Sequence, residues 1–139
     1  MIILDTDVLS ALMRVQPDRT VMRWLDQQPD SSIWTTSITV MEIRYGLQIM
    51  PAGKRREKMT EELVAVLREE IGERYAVFDV AAAQQAAELM ASRRTRGRAV
   101  DFRDTMIAGI ALATRATLAT GNTAHFADLS VPVVNPWTA

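Results

Sequence analysis

Five short apolar runs, separated by segments with helical patterns, are the feature that most constrains the fold of this chain. The runs cover residues 1–4, 33–36, 75–78, 117–120 and 131–134. Strands that alternate with helices form a parallel sheet with helices on its faces. The first run contains only Met, Ile and Leu, which indicates a strand buried on both faces. The sequence therefore predicts an α/β fold with a central parallel sheet of about five strands.

The segments between the runs carry the start and stop signals of helices. We expect helices over about residues 8–13, 21–28, 38–50, 54–71, 80–96 and 102–114. Asp7, Asp79 and Asp101 stand where the N-caps of three of them belong, and Ser37 enters the third helix. Gly72 follows the fourth helix and is expected to end it, since glycine readily adopts the left-handed conformation of a helix terminus.

Composition and charge exclude several classes of protein. A length of 139 residues, 48% of them apolar, predicts one domain over residues 1–139. The absence of cysteine excludes disulfides, thiolate zinc sites and a cysteine nucleophile, and it suits a cytoplasmic protein. No signal-peptide pattern and no apolar stretch of about 18 residues occurs, so no membrane association is expected.

Two polar residues follow apolar runs at equivalent positions. Asp5 comes directly after the first run, and in parallel sheets ligands bind beyond the carboxyl ends of the strands. Asp5 is also a good helix N-cap, a role that Asp7 fills equally well. Asn122 follows the fourth run, so the two strand ends should face one crevice. Its neighbour Gly121 makes an ordinary turn an equally good interpretation of Asn122.

Two further carboxylates fall on helix faces that should be at least half buried. Glu42 shares a face with Ile38 and Tyr45, and Asp104 precedes an apolar helix face. A buried carboxylate costs several kcal/mol unless a cation or hydrogen bonds compensate. The alternatives are a capping box formed by Thr39 and Glu42, and a place for Asp104 in the favourable first turn of its helix.

Asp5, Glu42 and Asp104 together form a set of hard oxygen donors suited to Mg²⁺, with Mn²⁺ as a substitute. Such a metal polarises a phosphodiester and activates water, which is nuclease chemistry. His125 is the only histidine, and a lone histidine is usually a surface or hydrogen-bonded residue.

A basic cluster precedes the predicted helix of Asp104. It contains Arg93, Arg94, Arg96 and Arg98, which could hold the backbone of RNA near the metal. The alternative is a solvated helix end, with cations at the negative end of the helix dipole.

Four segments, in this order, resemble the PIN-domain ribonucleases, and in particular the FitB-like branch of the VapC toxins of type II toxin–antitoxin pairs. They are residues 5–9 (DTDVL), 37–46 (SITVMEIRYG), 104–108 (DTMIA) and 120–126 (TGNTAHF). Each motif is weak alone, and the ordered set covers essentially the whole chain.

The resemblance implies a PIN-like three-layer α/β/α sandwich in which Asp5, Glu42 and Asp104 bind the metal. Asn122 falls where many members place a fourth acidic residue, so one Mg²⁺ is a safer expectation than two. Asp7 also departs from the family, which usually has asparagine there, and Gly121 stands where arginine is common. Asp7, Asp101, Thr120 and Asn122 are the candidates for the fourth position or for contacts around the metal ligands.

The resemblance also implies partners. They are an RNA substrate, a second copy of the chain in a homodimer, and a cognate VapB-type antitoxin that blocks the site. Operator DNA would be bound only through the antitoxin. Free toxin would cleave RNA in the cytoplasm, and no motif identifies the RNA that is cut.

Two alternatives stay open at the level of sequence. Asp5 and Asp7 also match the first motif of haloacid-dehalogenase-like phosphatases, as nucleophile and acid/base. Against this, the only lysines, Lys54 and Lys58, lie in a charged helix, and no acidic pair follows Thr120. The second alternative is a catalytically feeble PIN-like binding partner of the antitoxin.

Overall fold

The five apolar runs pair into one parallel sheet in the computed structural model, which describes residues 1–139. The strand order is β3-β2-β1-β4-β5. The strands are β1 (Ile2–Leu4), β2 (Ile33–Thr36), β3 (Tyr75–Ala76), β4 (Thr117–Ala119) and β5 (Val133–Val134). All five predicted strands are confirmed, and β3 and β5 are each two residues shorter than expected. The partner of Ala76 is Thr36, the last residue of β2, so β3 has no backbone to pair with beyond that point.

Six helices connect the strands. They are α1 (Thr6–Leu12), α2 (Arg19–Asp26), α3 (Ser37–Ile49), α4 (Lys54–Glu69), α5 (Val80–Thr95) and α6 (Phe102–Thr114). Asp79 and Asp101 cap α5 and α6 as predicted. Of the two caps considered for α1, Asp5 rather than Asp7 is the one used, because the helix begins at Thr6. The predicted entry of α3 at Ser37 is wrong, because the helix begins one residue earlier and Thr36 caps it.

The sheet separates two apolar cores, which gives the three-layer α/β/α sandwich. Side chains of a strand point alternately to the two faces of a sheet. In β1, Leu4 therefore packs with Val8, Leu9 and other residues of one core, whereas Ile3 packs into the other. The first core is covered by α1, α2, α3 and α4, and the second by α5 and α6. None of the helices is long and apolar enough to span a bilayer.

Helices α5 and α6 approach each other closely at small residues. A Cβ added to Gly109 in α6 would lie 2.5 Å from the Ala82 carbonyl oxygen and 2.9 Å from the Ala86 Cβ in α5. Contacts this short are repulsive, so only glycine permits this separation of the helices. The close packing fixes the start of α6, and thereby Asp104, relative to the sheet.

The fold places the starts of three helices near the carboxyl ends of the central strands. Helix α1 begins two residues after β1, and α3 begins directly after β2. Helix α6 ends shortly before β4, which is parallel to β1, so the start of α6 lies at the same edge. Residues just after β1 and β4 and in the first turns of α3 and α6 can therefore meet.

Gly109→Ala should destabilise the protein by about 1–3 kcal/mol, because overpacking outweighs the better helix propensity of alanine. Gly46→Ala is the matched control, since Gly46 lies inside α3 and a Cβ there meets nothing within 4 Å. It should stabilise the protein by about 0.5–1 kcal/mol. Urea unfolding of both variants measures the difference, and a stabilised Gly109→Ala would contradict the packing argument.

Candidate active site

Asp5 is a buried carboxylate with no basic partner. The residue is 6% exposed. Oδ1 accepts a hydrogen bond from the backbone N–H of Thr6 at 2.8 Å, and Oδ2 accepts one from Thr120 Oγ1 at 2.9 Å. No Lys, Arg or His forms an ion pair with it. Burial raises the pKa of Asp5 to about 6, against the lowering effect of these two hydrogen bonds.

Thr120 joins the ends of β1 and β4. Its hydroxyl donates to Asp5 and also accepts from the backbone N–H of Asn122 at 3.1 Å. Asn122 is exposed, and its side chain makes no hydrogen bond within the protein. The sequence placed Asp5, Thr120 and Asn122 at neighbouring strand ends, and the structure brings Thr120 into contact with both of the others.

Asp7 contacts the turn after β4. Its Oδ2 accepts a hydrogen bond from the backbone N–H of Gly121 at 2.8 Å. A Cβ at position 121 would lie 2.8 Å from that oxygen and 3.0 Å from the Trp137 ring, so the close approach requires glycine. Partial burial raises the pKa of Asp7 above its usual range. Asp7 therefore holds the turn that carries Asn122.

Glu42 lies in α3 and connects this helix to α1. Its Oε1 accepts a hydrogen bond from Thr6 Oγ1 at 3.1 Å, and the same hydroxyl lies 3.1 Å from Thr39 Oγ1. The capping box of Thr39 and Glu42 is wrong, because Thr39 lies inside the first turn and Thr36 Oγ1 accepts its N–H at 3.0 Å. Burial raises the pKa of Glu42, whereas Thr6 and the Arg103 guanidinium at 3.8 Å lower it.

Asp104 occupies the first turn of α6, and its backbone N–H donates to Asp101 Oδ1 at 3.2 Å. Its Oδ2 lies 3.1 Å from Nε2 of His125, although that nitrogen has no hydrogen bond of acceptable geometry. The contact is therefore a close polar approach. Burial and the charge of Asp101 raise the pKa of Asp104, whereas His125 and Arg93 lower it.

Asp104 lies within electrostatic reach of both Asp5 and Glu42, but the three carboxylates do not form a closed cage. The charge of Asp104 raises the pKa of both Asp5 and Glu42. No three acidic or histidine side chains are arranged to hold a metal ion as they stand. Their oxygens instead face Thr6, Thr120, Arg103 and His125. The donor set fits a hard divalent cation, because the buried Asp5 has no other source of positive charge.

Most arginines of the predicted basic cluster form ion pairs with Asp128. Arg93 is 1% exposed, so its prediction as an RNA contact is wrong. Arg93, Arg96 and Arg98 all form ion pairs with Asp128, at 2.9, 2.9 and 3.0 Å. These cations hold the pKa of Asp128 well below its usual range. Arg94 is exposed and makes no ion pair.

Sequence reasoning missed four residues of the site or its surroundings, namely Thr6, Thr39, Arg103 and Asp128. The hydroxyls of Thr6 and Thr39 lie on different helices that meet only in the folded chain. The one available signal was the position of Thr6 between two strand-end carboxylates, Asp5 and Asp7.

A groove of about 630 Å³ opens beside Glu42. It runs between α1, α3 and α4. Its walls include the apolar side chains of Met13, Ile43, Leu47, Met50 and Met59, and the basic residues Arg14, Arg55 and Lys58. Thr6 and Glu42 line the same groove, so it is continuous with the candidate active site.

Similarity to known proteins extends over nearly the whole chain. The PIN domain model matches residues 2–131. The plasmid stability protein StbB of Pseudomonas syringae pv. tomato is 40% identical over 139 residues, all of both chains. The VapC ribonuclease Y4jK of Sinorhizobium fredii is 38% identical over 137 residues, covering 99% of this chain and 98% of that protein.

Two further similarities concern Neisseria gonorrhoeae. Its toxin FitB is 33% identical over 137 residues, or 99% of each chain. A crystal structure of FitAcB superposes with a TM-score of 0.88 at 32% identity, covering 100% of both chains. The family model spans most of the chain, the relatives match over their full length, and the fold agrees. The chain therefore belongs to the PIN domain family.

Proposed function

We propose that this protein is a metal-dependent endoribonuclease that hydrolyses phosphodiester bonds and acts as the toxin of a type II toxin–antitoxin pair. The observation that carries the proposal is the buried Asp5 carboxylate, which has no basic partner and is coupled electrostatically to Asp104. The full-length similarity to a VapC ribonuclease supports RNA as the substrate. The similarity to toxin FitB supports the toxin role. We further propose that one domain exercises this role in the cytoplasm.

Asp5, Glu42 and Asp104 would hold one Mg²⁺, for which Mn²⁺ can substitute. When bound, the ion supplies Lewis-acid polarisation of the scissile phosphodiester. We propose one ion because Asn122 brings no charge and Asp7 already accepts from Gly121.

The remaining residues of the site orient the carboxylates. Thr120 and the Thr6 N–H hold Asp5, while the Thr6 hydroxyl holds Glu42. Hydroxyl and amide donors fix a carboxylate without neutralising it, so its charge stays available to a cation. Arg103 is about half exposed beside Glu42 and supplies a positive charge at the rim for the RNA backbone, as does the exposed Arg94.

The groove beside Glu42 is the proposed docking site of a VapB-type antitoxin. Its apolar walls suit a hydrophobic segment, and Arg14, Arg55 and Lys58 suit acidic side chains on that segment. A segment in this groove would contact Thr6 and Glu42, and it would thereby block access to the carboxylates.

A homodimer would bury an exposed apolar stripe on α3. Met41, Tyr45 and Ile49 are spaced by four residues on one helix face and are 50%, 59% and 66% exposed. Side chains of this type are enriched in the cores of interfaces.

The phosphatase alternative loses its basis, because the chain belongs to the PIN domain family and Asp7 is engaged by Gly121. The second alternative is a catalytically feeble binding partner of the antitoxin. It would be favoured if the antitoxin-free protein fails to cleave RNA.

Asp5→Asn should lower Mg²⁺-dependent RNA cleavage at least about 100-fold, because it removes the buried charge that the cation requires. The control is Asp18→Asn, which alters the N-cap of α2 and preserves capping, so it should retain activity. Cleavage of RNA by antitoxin-free protein, with and without Mg²⁺ or Mn²⁺, measures both. Metal-independent cleavage, or full activity of Asp5→Asn, would contradict the proposal.

Stability without divalent ions should depend on pH through Asp5. Its pKa is about 6 in the folded chain and near 3.8 when unfolded, so folding favours the protonated form. Protonated Asp5 therefore contributes to the free energy of unfolding. This contribution is fully present below about pH 4 and is lost as pH rises through 6. The asparagine of the Asp5→Asn variant does not ionise, so the variant does not lose this contribution. In EDTA at pH 7.5 its free energy of unfolding should exceed that of the wild type by about 2 kcal/mol.

Urea unfolding at pH 4 and pH 7.5 tests this dependence. The difference between Asp5→Asn and wild type should shrink at pH 4, and adding Mg²⁺ at pH 7.5 should stabilise the wild type alone. The same difference at both pH values would mean that the pKa of Asp5 is not raised in the folded protein.

Tyr45→Glu should favour the monomer, because it places a charge in the centre of the stripe on α3. Arg68→Glu, at an exposed position of α4, is the control. Sedimentation equilibrium of both variants measures the assembly, and an unshifted dimer in Tyr45→Glu would place the interface elsewhere.

A further inference from the structure

Asp128 gathers three arginines from the end of α5 and the loop that follows it. Arg93 Nε and Nη2 donate to its two carboxylate oxygens at 2.9 and 3.0 Å. Arg96 Nη2 and Arg98 Nη1 donate to Oδ2 at 2.9 and 3.0 Å. We name Arg93, Arg96, Arg98 and Asp128 the arginine latch. Its centre is buried, since the side chains of Arg93 and Asp128 are 1% and 8% exposed.

The arginine latch also holds the backbone of the 3-10 turn Thr123–Phe126. Arg93 Nη2 and Arg98 Nη2 both donate to the carbonyl oxygen of His125, at 3.0 and 3.2 Å. Phe126 is fully buried in the core beneath the turn. Two guanidinium groups thus hold the His125 carbonyl of the turn, and the turn's own Phe126 is anchored in the core.

A buried ion pair contributes little net stability, because its desolvation offsets most of the attraction. An apolar side chain at position 93 would fill the same space at no such cost. What the guanidinium provides, and an apolar group does not, is a set of directed donors to Asp128 and to the His125 carbonyl. The ion pairs therefore serve to fix the orientation of the turn.

The fixed turn presents the His125 ring to Asp104. Nε2 lies 3.1 Å from Oδ2 of Asp104, while the other carboxylate oxygen of Asp104 accepts no hydrogen bond within the protein. The ring also packs edge-on against Phe126, with centroids 5.2 Å apart, which limits its rotation. The ring thus lies beside one oxygen of Asp104 without a hydrogen bond, and the other oxygen has no contact of this kind.

We propose that the arginine latch positions His125 so that its ring lies against one oxygen of Asp104 and leaves the other to a ligand of the site. His125, Arg93 and Arg98 are positioning residues in this account. The benefit of this position of His125 rests on the proposed function, in which Asp104 is a metal ligand. The position of the His125 ring itself can be measured without metal or RNA.

His125 is the only histidine of the chain, so ¹⁵N-labelled histidine gives one imidazole spectrum from the full-length protein. Asp104→Asn should shift the Nε2 resonance of metal-free protein. Arg98→Ala should shift Nε2 as well, because it loosens the turn although residue 98 does not touch the ring. Arg98 is preferred to Arg93, whose removal leaves the buried Asp128 short of partners and endangers folding. Asp128→Asn, of nearly equal size, is the second variant.

Arg94→Ala is the matched control, since Arg94 is exposed on the same helix turn and lies outside the arginine latch. It should leave the Nε2 resonance unchanged. If Arg98→Ala and Asp128→Asn only lower the unfolding temperature and leave Nε2 at its wild-type shift, the arginine latch does not position the ring and the proposal is overturned.

Mn²⁺ titration by calorimetry supplies the second readout. Arg98→Ala and His125→Ala should each weaken Mn²⁺ binding about 10-fold, the usual effect of losing a group that orients a metal ligand. Unchanged Mn²⁺ affinity in both variants would overturn the link from the arginine latch to Asp104. If the wild type itself binds no Mn²⁺, the proposed function fails, and the imidazole spectra still decide whether the arginine latch positions His125.

Discussion

The buried carboxylate of Asp5 is the constraint on which the candidate site depends. It caps α1 through Thr6, joins β1 to β4 through Thr120, and feels the charge of Asp104. Two hydrogen bonds do not offset the desolvation, because the pKa remains raised. A group that costs free energy in the metal-free fold, at the ligand-binding edge of a parallel sheet, is typical of a residue kept for function.

Two buried acids of this fold show how the surroundings assign different roles to the same side chain. Asp128 is surrounded by guanidinium groups, which lower its pKa and make it a structural anchor. Asp5 is surrounded by hydroxyl and amide donors, which orient its oxygens but bring no positive charge. The Thr6 hydroxyl extends this arrangement to Glu42. The site is therefore rigid around Asp5 and still deficient in positive charge.

Much of this fold could be predicted from sequence, because the five apolar runs and the caps Asp79 and Asp101 depend on local pattern. The predictions that failed depended on contacts between distant segments. The Thr39–Glu42 pattern matched a capping box, yet the partner of Glu42 is Thr6 of another helix. Arg93 belonged to a basic run that suggested an exposed surface, and only the fold reveals its pairing with Asp128.

The same distinction applies to the candidate site. Asp5, Glu42 and Asp104 could be proposed as candidates because each puts a charge where the local pattern requires burial. Their distances could not be predicted, and in the structure their oxygens still face Thr120, Thr6 and His125 rather than a common centre. Closing the set requires a cation that competes with these partners.

Crystals of the protein soaked in Mn²⁺ give the most direct measurement, through the anomalous difference map recorded at the manganese edge. We expect one peak bounded by the carboxylates of Asp5, Glu42 and Asp104, with His125 still beside Asp104. A map without a peak there, or with manganese bound only at Asp7 or in the groove, would contradict the claim that the charge of Asp5 is kept for a metal ion.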